Sequence, residues 1–407
     1  MNIGYFFMHP PGESMGSTYR VWNLCQGLTK MSHKCYIFTP FHYSEDWGPL
    51  VEFISIPVVS KKTGVNVPKL IYKVVRKIFD IKILSNYSLL NPHMLELTIK
   101  RISSRLLELI INNSYDLDAF IGQAELGGYV LSQIKNNLKI PVITDYQNYW
   151  PEELIEHRVI KRYSRRYKFL VDLEKDVIRN SDFIITICQS MADFLKSHFD
   201  NDYHSKIQAV NNGGVAVLDT PKQKRFPPKI INSGMVVQRS NFKLFLESMQ
   251  YVLNKYPNAQ IFITRKGEKL KEVMKLAKKM KLNVNFYWKE TNQEYLDLLS
   301  QCHVGVVTST NQLTRKLGFV AKVYDYFSVG IPVVGNDIGG FTSIILEENV
   351  GKLSSNDPRD LANKIIDIIE NPHLANEYGE RGIKLLKGKL SVDESAKKLI
   401  NIIENLL

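Results

Sequence analysis

The sequence predicts an α/β protein with two doubly wound parallel-sheet domains facing across a cleft. Three observations predict it. Short apolar runs alternate with stretches of helical period along nearly the whole chain, the pattern of βα units. The alternation breaks once, over a proline-rich basic stretch, and then restarts. The length, 407 residues, suits two domains at roughly 100–200 residues each.

The first domain is expected over residues 1–218. Asn2–Met8 reads as a strand, Gly12–Ser17 as a glycine loop, and Tyr19–Met31 as a helix with apolar residues at Val21, Leu24, Cys25 and Leu28. Cys35–Thr39 closes a βαβ opening. Further strands are expected at Leu117–Ile121, Val142–Asp145 and Phe183–Ile187, with one long helix over roughly Glu152–Asn180. Lys206–Asn211 is a last short strand before Asn212-Gly213-Gly214.

Residues 219–229 carry Pro221, Pro227 and Pro228 among basic residues and read as a linker. The second domain, 230–390, restarts with strands at Ile230–Val237, Gln260–Thr264, Val284–Trp288, Val304–Thr308 and Pro332–Gly335. Helices at Phe242–Lys255 and Lys269–Met280 lie between them. The last stretch, 391–407, reads as one amphipathic helix opened by a capping-box pattern at Ser391 and Glu394, crossing back to the first domain. Ligands of open parallel sheets bind in the crevice at the carboxyl ends of the strands.

Composition narrows the function classes. Hydrophobic residues make up 44% and charged residues 23%, a globular balance. The apolar run Met1–Phe7 is too short for a signal peptide. No run reaches the roughly 20 residues of a spanning helix, so a cytoplasmic protein is expected. Cys25, Cys35, Cys188 and Cys302 are scattered and suit buried thiols rather than a zinc site or disulfides. The net charge of +12 favours anionic partners. With no zinc finger or aromatic RNA-binding signature, nucleic acid is not expected among them.

Two segments can carry chemistry. Gly12–Ser17 stands between a strand and a helix, where backbone N–H groups and a helix N-terminus favour an anion. The same glycines also suit a plain turn, and the absent G-x-G-x-x-G pattern argues against a dinucleotide site. Val320–Gly340 reads V-A-K-V-Y-D-Y-F-S-V-G-I-P-V-V-G-N-D-I-G-G. Lys322, Asp325 and Tyr326 fall near the C-terminal half of a helix. Gly330-Ile331-Pro332 turns that helix into a buried strand, and Asn336–Gly340 loops at its end. The arrangement offers a cation for a diphosphate, a carboxylate for ribose hydroxyls and a glycine loop for close approach. It equally suits a helix–strand turn with solvated charges.

This segment resembles the donor-site signature of glycosyltransferase family 4, K-x-x-E-Y-x-x-x-G-x-P-V-V followed by a loop ending in G-G. The resemblance runs along nearly the whole chain. It includes Gly16–Thr39, Asn180-Ser181-Asp182, Asn212-Gly213 and Gly351-Lys352-Leu353. It implies the GT-B fold, two Rossmann-like domains, and a retaining transfer of a hexose-type sugar from a nucleoside diphosphate sugar. No metal and no cofactor is implied beyond that co-substrate, a UDP-sugar being favoured over a GDP-sugar. By resemblance Asp325 binds the ribose and Lys322 faces the diphosphate. Arg239 acts on the phosphates with Lys243 as a second cation. Gly16, Gly339 and Gly340 let their loops approach, and Gln123 and Asp145 line the sugar and acceptor side.

The sequence also departs from the family. Leu317 stands where the first glutamate of an E-x7-E pair is usual, Met235 where an arginine often follows the glycine, Gln123 for a histidine, and Ser343 for a glutamate. Asp145–Glu152 resembles a D-x-W-P-E stretch of polysaccharide-building members; an aromatic loop packed on the next helix is the alternative. Basic residues cluster in Pro68–Leu84 and Arg158–Lys168, patterns that suit an anionic membrane surface at the inner face of the membrane or simply a solvated face. The acceptor is expected to be a glycan or a lipid-linked oligosaccharide. A nucleotide-sugar 2-epimerase of the same fold and a non-catalytic nucleotide-sugar-binding subunit are the alternatives.

Overall fold

The computed structural model describes residues 1–8, 16–43, 45–56, 92–288 and 292–407. The chain divides into two compact units, Met1–Gly213 with Val392–Leu407, and Gly214–Ser391.

The first unit holds a parallel sheet of strands β1 (Asn2–Phe6), β2 (Lys34–Thr39), β3 (Val51–Ser55), β4 (Ala119–Gln123), β5 (Val142–Tyr146), β6 (Phe183–Thr186) and β7 (Ile207–Ala209). Their order is β3-β2-β1-β4-β5-β6-β7, every pair parallel. The central strands are apolar on both faces; Val142, Ile143, Phe120 and Ile121 are fully buried. Both faces must therefore be covered by helices, as parallel sheets require. The helix Val392–Glu404 belongs to this unit. It packs on the helix Gly16–Lys30 so closely that a Cβ on Gly27 would lie 2.6 Å from that of Ala396.

The second unit has a parallel sheet of β8 (Lys229–Asn232), β9 (Gln260–Ile263), β10 (Val284–Phe286), β11 (Val304–Val307), β12 (Val333–Asn336) and β13 (Gly351–Ser354), in the order β10-β9-β8-β11-β12-β13. Strand order reverses between β1 and β4 in one unit and between β8 and β11 in the other. Such switch points open a crevice at the carboxyl edge.

The α/β class and the parallel sheets are as the sequence predicts. Three local expectations are corrected. The helix expected over Glu152–Asn180 is two helices, Trp150–Glu156 and Arg165–Asn180. Arg158 and Tyr163 between them take left-handed φ of 60° and 63°, which no helix continues through. Ser164 then caps the new start by accepting the Tyr167 N–H at 3.2 Å. The expected linker 219–229 is packed into the second unit. Lys222 and Lys224 donate to the Ser300 hydroxyl and carbonyl at 3.1 and 2.7 Å, and the unit begins at Gly214. Lys322 opens the helix Lys322–Ser328 rather than standing near its C-terminal half.

That helix ends as its sequence requires. Gly330, at φ +64°, lets its N–H return to Phe327 O at 3.1 Å and the Ile331 N–H reach Tyr326 O at 3.0 Å. These are the two bonds of a Schellman cap. Pro332 follows, and β12 begins at once.

Candidate functional site

In the second unit, polar residues gather where strands end. Asn232 closes β8, Thr308 and Ser309 follow β11, and Asn336 closes β12. All four are nearly or fully buried, so each needs a partner. Asn232 donates to the Thr308 hydroxyl at 3.1 Å, and Thr308 donates to Ser240 O at 2.7 Å. Asn336 exchanges bonds of 2.8 Å with the backbone N–H and O of Ser309. A rigid polar floor results.

Lys322 and Asp325 rise from the helix beside this floor. The position is set by Tyr326, whose ring lies where a Cβ on Gly305 would be, 2.5 Å away. Only glycine on β11 allows that approach. The Tyr326 hydroxyl accepts the Ser233 N–H at 2.9 Å and the Ser233 hydroxyl at 3.0 Å, and donates to Val306 O at 3.2 Å. So anchored, the helix brings Lys322 Nζ to Asn232 Oδ1 at 2.7 Å. Lys322 is 8% exposed. Its stem passes the Gly234 backbone, its Cε 3.1 Å from where a Cβ would sit. Burial pushes the Lys322 pKa down to about 7, with Arg315 and Arg265 adding to the fall and Asp325 opposing it.

Asp325 is partly buried and accepts the Tyr295 hydroxyl at 2.9 Å. Burial raises its pKa, opposed by that hydrogen bond and by Arg265 and Lys322. The Arg265 guanidinium lies over the Tyr295 ring, 5.8 Å from its centre. Arg315, in the helix Leu313–Leu317, reaches the Ser240 hydroxyl at 3.4 Å. Sequence reasoning missed Arg265, Arg315 and Tyr295. Arg265 lies two residues past β9, Tyr295 in the helix Asn292–Gln301 and Arg315 in the helix Leu313–Leu317, so no contiguous motif joins them.

The remaining expected residues fall as follows. Arg239 sits half-buried in a 3-10 turn, Gln238–Ser240, whose carbonyl accepts the Thr310 N–H at 3.1 Å. The Lys243 side chain is 71% exposed and pairs with Glu247 at 3.6 Å. The Gly339-Gly340 pair divides. Gly339 takes φ +138° and is partly exposed. Gly340 is buried with its N–H given to Gly318 O at 3.0 Å, so it closes the turn rather than facing a ligand. Leu317 is buried at 6% exposure, Met235 is exposed at 55%, and Ser343 is exposed.

In the first unit, Gly16 opens its helix with nothing within 4 Å of a Cβ; the rest of the expected loop, 12–15, lies outside the described residues. Asp145 is corrected. It is fully buried, accepting Arg20 Nε at 2.7 and 2.8 Å and the Gln147 amide at 3.0 Å. Burial raises its pKa despite Arg20. Arg20 in turn donates to Val210 O at 2.7 Å and to Asn212 Oδ1 at 3.0 Å. The pair ties β5 to the end of the unit and leaves no carboxylate surface for an acceptor. Gln123, beside Asp145 in register, is 2% exposed and likewise turned inward.

The Asp145–Glu152 stretch is a packed aromatic loop. Tyr149 is 1% exposed, its ring 5.0 Å from that of Phe194 and its hydroxyl 3.0 Å from His198 Nε2. Glu125, at the start of the next helix after β4, is buried, and burial raises its pKa to about 8. Of the basic stretches, Pro68–Leu84 lies outside the described residues. In Arg158–Lys168, Lys161, Arg165, Lys168 and Tyr163 are exposed, Tyr163 to 75%, while Arg162 forks onto Glu152 at 2.5 and 2.6 Å. Among the described residues no helix is long and apolar enough to cross a membrane, and no cluster of three or more metal-ligating side chains occurs.

Comparison with known proteins agrees with this layout. Residues 219–385 match the family described as Glycosyl transferases group 1. An uncharacterized glycosyltransferase of Methanocaldococcus jannaschii, MJ1178, is 23% identical over 282 residues, 69% of this chain and 72% of the relative. Among solved structures, a sucrose-phosphate synthase from Thermosynechococcus elongatus superposes with a TM-score of 0.69 at 16% identity, covering 100% of this chain and 98% of its own. HepE of Anabaena, solved in complex with UDP, gives a TM-score of 0.70 at 12% identity over 100% of both chains. Residues 219–385 are thus similar to the glycosyl transferases group 1 family, and the two parallel-sheet units share the fold of these GT-B glycosyltransferase structures.

Proposed function

We propose that the chain is a retaining glycosyltransferase that moves a hexose-type sugar from a nucleoside diphosphate sugar to a glycan or lipid-linked oligosaccharide. The observation that carries the reading is the grouping of Lys322, Asp325 and the Gly339 turn at the carboxyl edge of the sheet, inside the segment that matches the glycosyltransferase family. In this reading Asp325 accepts the ribose hydroxyls. Lys322 and Arg239 face the diphosphate, which gains charge as it leaves, so preorganised cations there lower the barrier. UDP in HepE supports a uridine donor. The exposed Lys161, Arg165 and Lys168 around Tyr163 support contact with an anionic membrane surface at the cytoplasmic face.

The test is thermal unfolding in the presence of UDP-, GDP- and ADP-sugars. A ligand that binds only the native state at 100 times its Kd adds about 2.7 kcal/mol, a clear rise in Tm. A matching donor should then release free nucleoside diphosphate with formation of a glycosidic bond when acceptor is added. If none of the three classes raises Tm, the reading fails.

A further inference from the structure

We propose that the lysine face of the helix Leu270–Lys279, in the second unit, is a docking surface for an anionic lipid bilayer. The proposal goes beyond the nucleotide-sugar reading and does not depend on it. It adds a contact separate from the basic residues of the first unit.

The first argument is uncompensated charge. Residues 266–281 carry seven lysines against two glutamates. Glu272 pairs with Lys269 at 2.8 Å, and Glu268 accepts the Gln238 N–H at 3.4 Å. Lys271, Lys275, Lys278, Lys279 and Lys281 are exposed and form no ion pair among the described residues. Lysines four apart on a helix, as Lys271, Lys275 and Lys279 are, repel one another. Lys278 and Lys279 suit the C-terminal end of the helix dipole. Lys271 stands in the first turn, where the dipole opposes a cation. Helix stability therefore does not account for the run, and an external anion would relieve it.

The second argument is orientation. Val273 and Ala277 are buried in the core of the unit, with Leu270, Leu276 and Met280 packed on that core. The helix joins β9 to β10, and β10 is the edge strand of its sheet. Its apolar side is thus taken up within the unit, and its lysine side faces outward at the end of the sheet. Positions 271, 275, 278 and 279 fall on one face and span about 12 Å. Met274, 44% exposed, stands between Lys271 and Lys278 on that face, three residues from one and four from the other. Near the start of the helix, Trp288 is 37% exposed with Lys266 Nζ 5.8 Å from its ring centre.

The third argument is the kind of partner. The stretch 266–281 holds lysines and no arginine. Arginine fits a fixed phosphate or carboxylate bidentately, whereas lysine is a point charge on a flexible stem. Flexible cations on one face match a plane of mobile phosphate headgroups better than one fixed pattern of anions. Met274 and Trp288 suit the same interface, where tryptophan rests at headgroup level. The apolar side of the helix is committed to the core and cannot insert. Attachment is therefore electrostatic and falls with salt.

Co-sedimentation of the full chain with vesicles tests the proposal. One set is phosphatidylcholine alone, the other an equal mixture with phosphatidylglycerol. Wild type should bind the anionic vesicles and not the neutral ones. It should release them as salt rises from 0.1 to 1 M, where the screening length falls from about 10 to about 3 Å. A lysine near an anionic surface contributes about fivefold in affinity. The combined Lys271→Glu, Lys275→Glu, Lys278→Glu variant should therefore bind at least about thirtyfold more weakly. The corresponding glutamine variant, which removes charge without reversing it, should fall between the two with an unchanged Tm, which guards against misfolding. A Lys161→Glu, Arg165→Glu, Lys168→Glu variant is measured beside them. If wild type binds neither vesicle, or if the helix variants bind anionic vesicles as tightly as wild type, the proposal is overturned. In the second case, loss of binding in the Lys161 variant leaves the first-unit contact standing. Tighter binding of a single-stranded RNA oligomer than of anionic vesicles also overturns it.

Discussion

Both sheets gather ions near their carboxyl edges, and the two clusters differ in kind. In the first unit Arg20 and Asp145 are fully buried and matched, and Arg20 has spent further donors on Val210 O and Asn212. In the second unit Arg265 and Lys322 both act on the carboxylate of Asp325, while Arg315 acts on Lys322. The first cluster is closed and works as a structural tie. Burial separates the two: Arg20 and Asp145 are sealed from solvent, with the Arg20 Nη2 left without a hydrogen-bond partner among the described residues, whereas Asp325, Arg265 and Arg315 are each partly exposed.

The sharpest way to break the comparison is Asp145→Ala. It strands the buried Arg20 charge, and breaking such a pair costs about 3–5 kcal/mol. Urea unfolding should show that loss; a cost below about 1 kcal/mol would remove the structural role. Asp325→Ala should act on binding instead. Losing a hydrogen bond to a charged group costs about 1.5–3 kcal/mol, roughly a tenfold to hundredfold rise in nucleotide Kd, and an unaltered Kd removes the ribose role.

Lys322→Met sharpens the contrast further. In the free protein the Lys322 pKa is lowered to about 7 from 10.5. Between those values the unfolded chain holds more protons, so stability rises with pH across that window. The variant should flatten the rise while weakening UDP binding, whereas a wild type with stability falling from pH 7 to 10 would contradict the buried amine. Smallest of all, Lys243→Ala should change stability by less than about 0.5 kcal/mol and leave nucleotide affinity within twofold, because its charge is exposed and paired with Glu247. A larger affinity loss would return Lys243 to the site.

Much of the fold was legible in the sequence because each strand is a short apolar run, and the Schellman turn at Gly330 is written in Gly330-Ile331-Pro332 itself. The break between Glu156 and Arg165 was less so. Left-handed φ falls on Arg158 and Tyr163, residue types that do not announce it. At the site, Lys322 and Asp325 share one helix and could be read together. Arg265 follows a strand while Tyr295 and Arg315 stand in two separate helices, so only folding shows that Arg265 lies over the Tyr295 ring. Asp145 misled for the same reason: its partner Arg20 is 125 residues away.

The contact between Lys322 and Asn232 has a consequence for reactivity. A lysine held near neutrality by burial is in large part an uncharged amine at pH 7.5, and an uncharged amine is a nucleophile. An aldehyde reaching that amine would form an imine with loss of water, which borohydride could reduce to a stable secondary amine. Nucleotide should protect it, both by occupying the space and by returning the proton. Mass spectrometry of the trapped adduct would then report, lysine by lysine, whether the site is occupied.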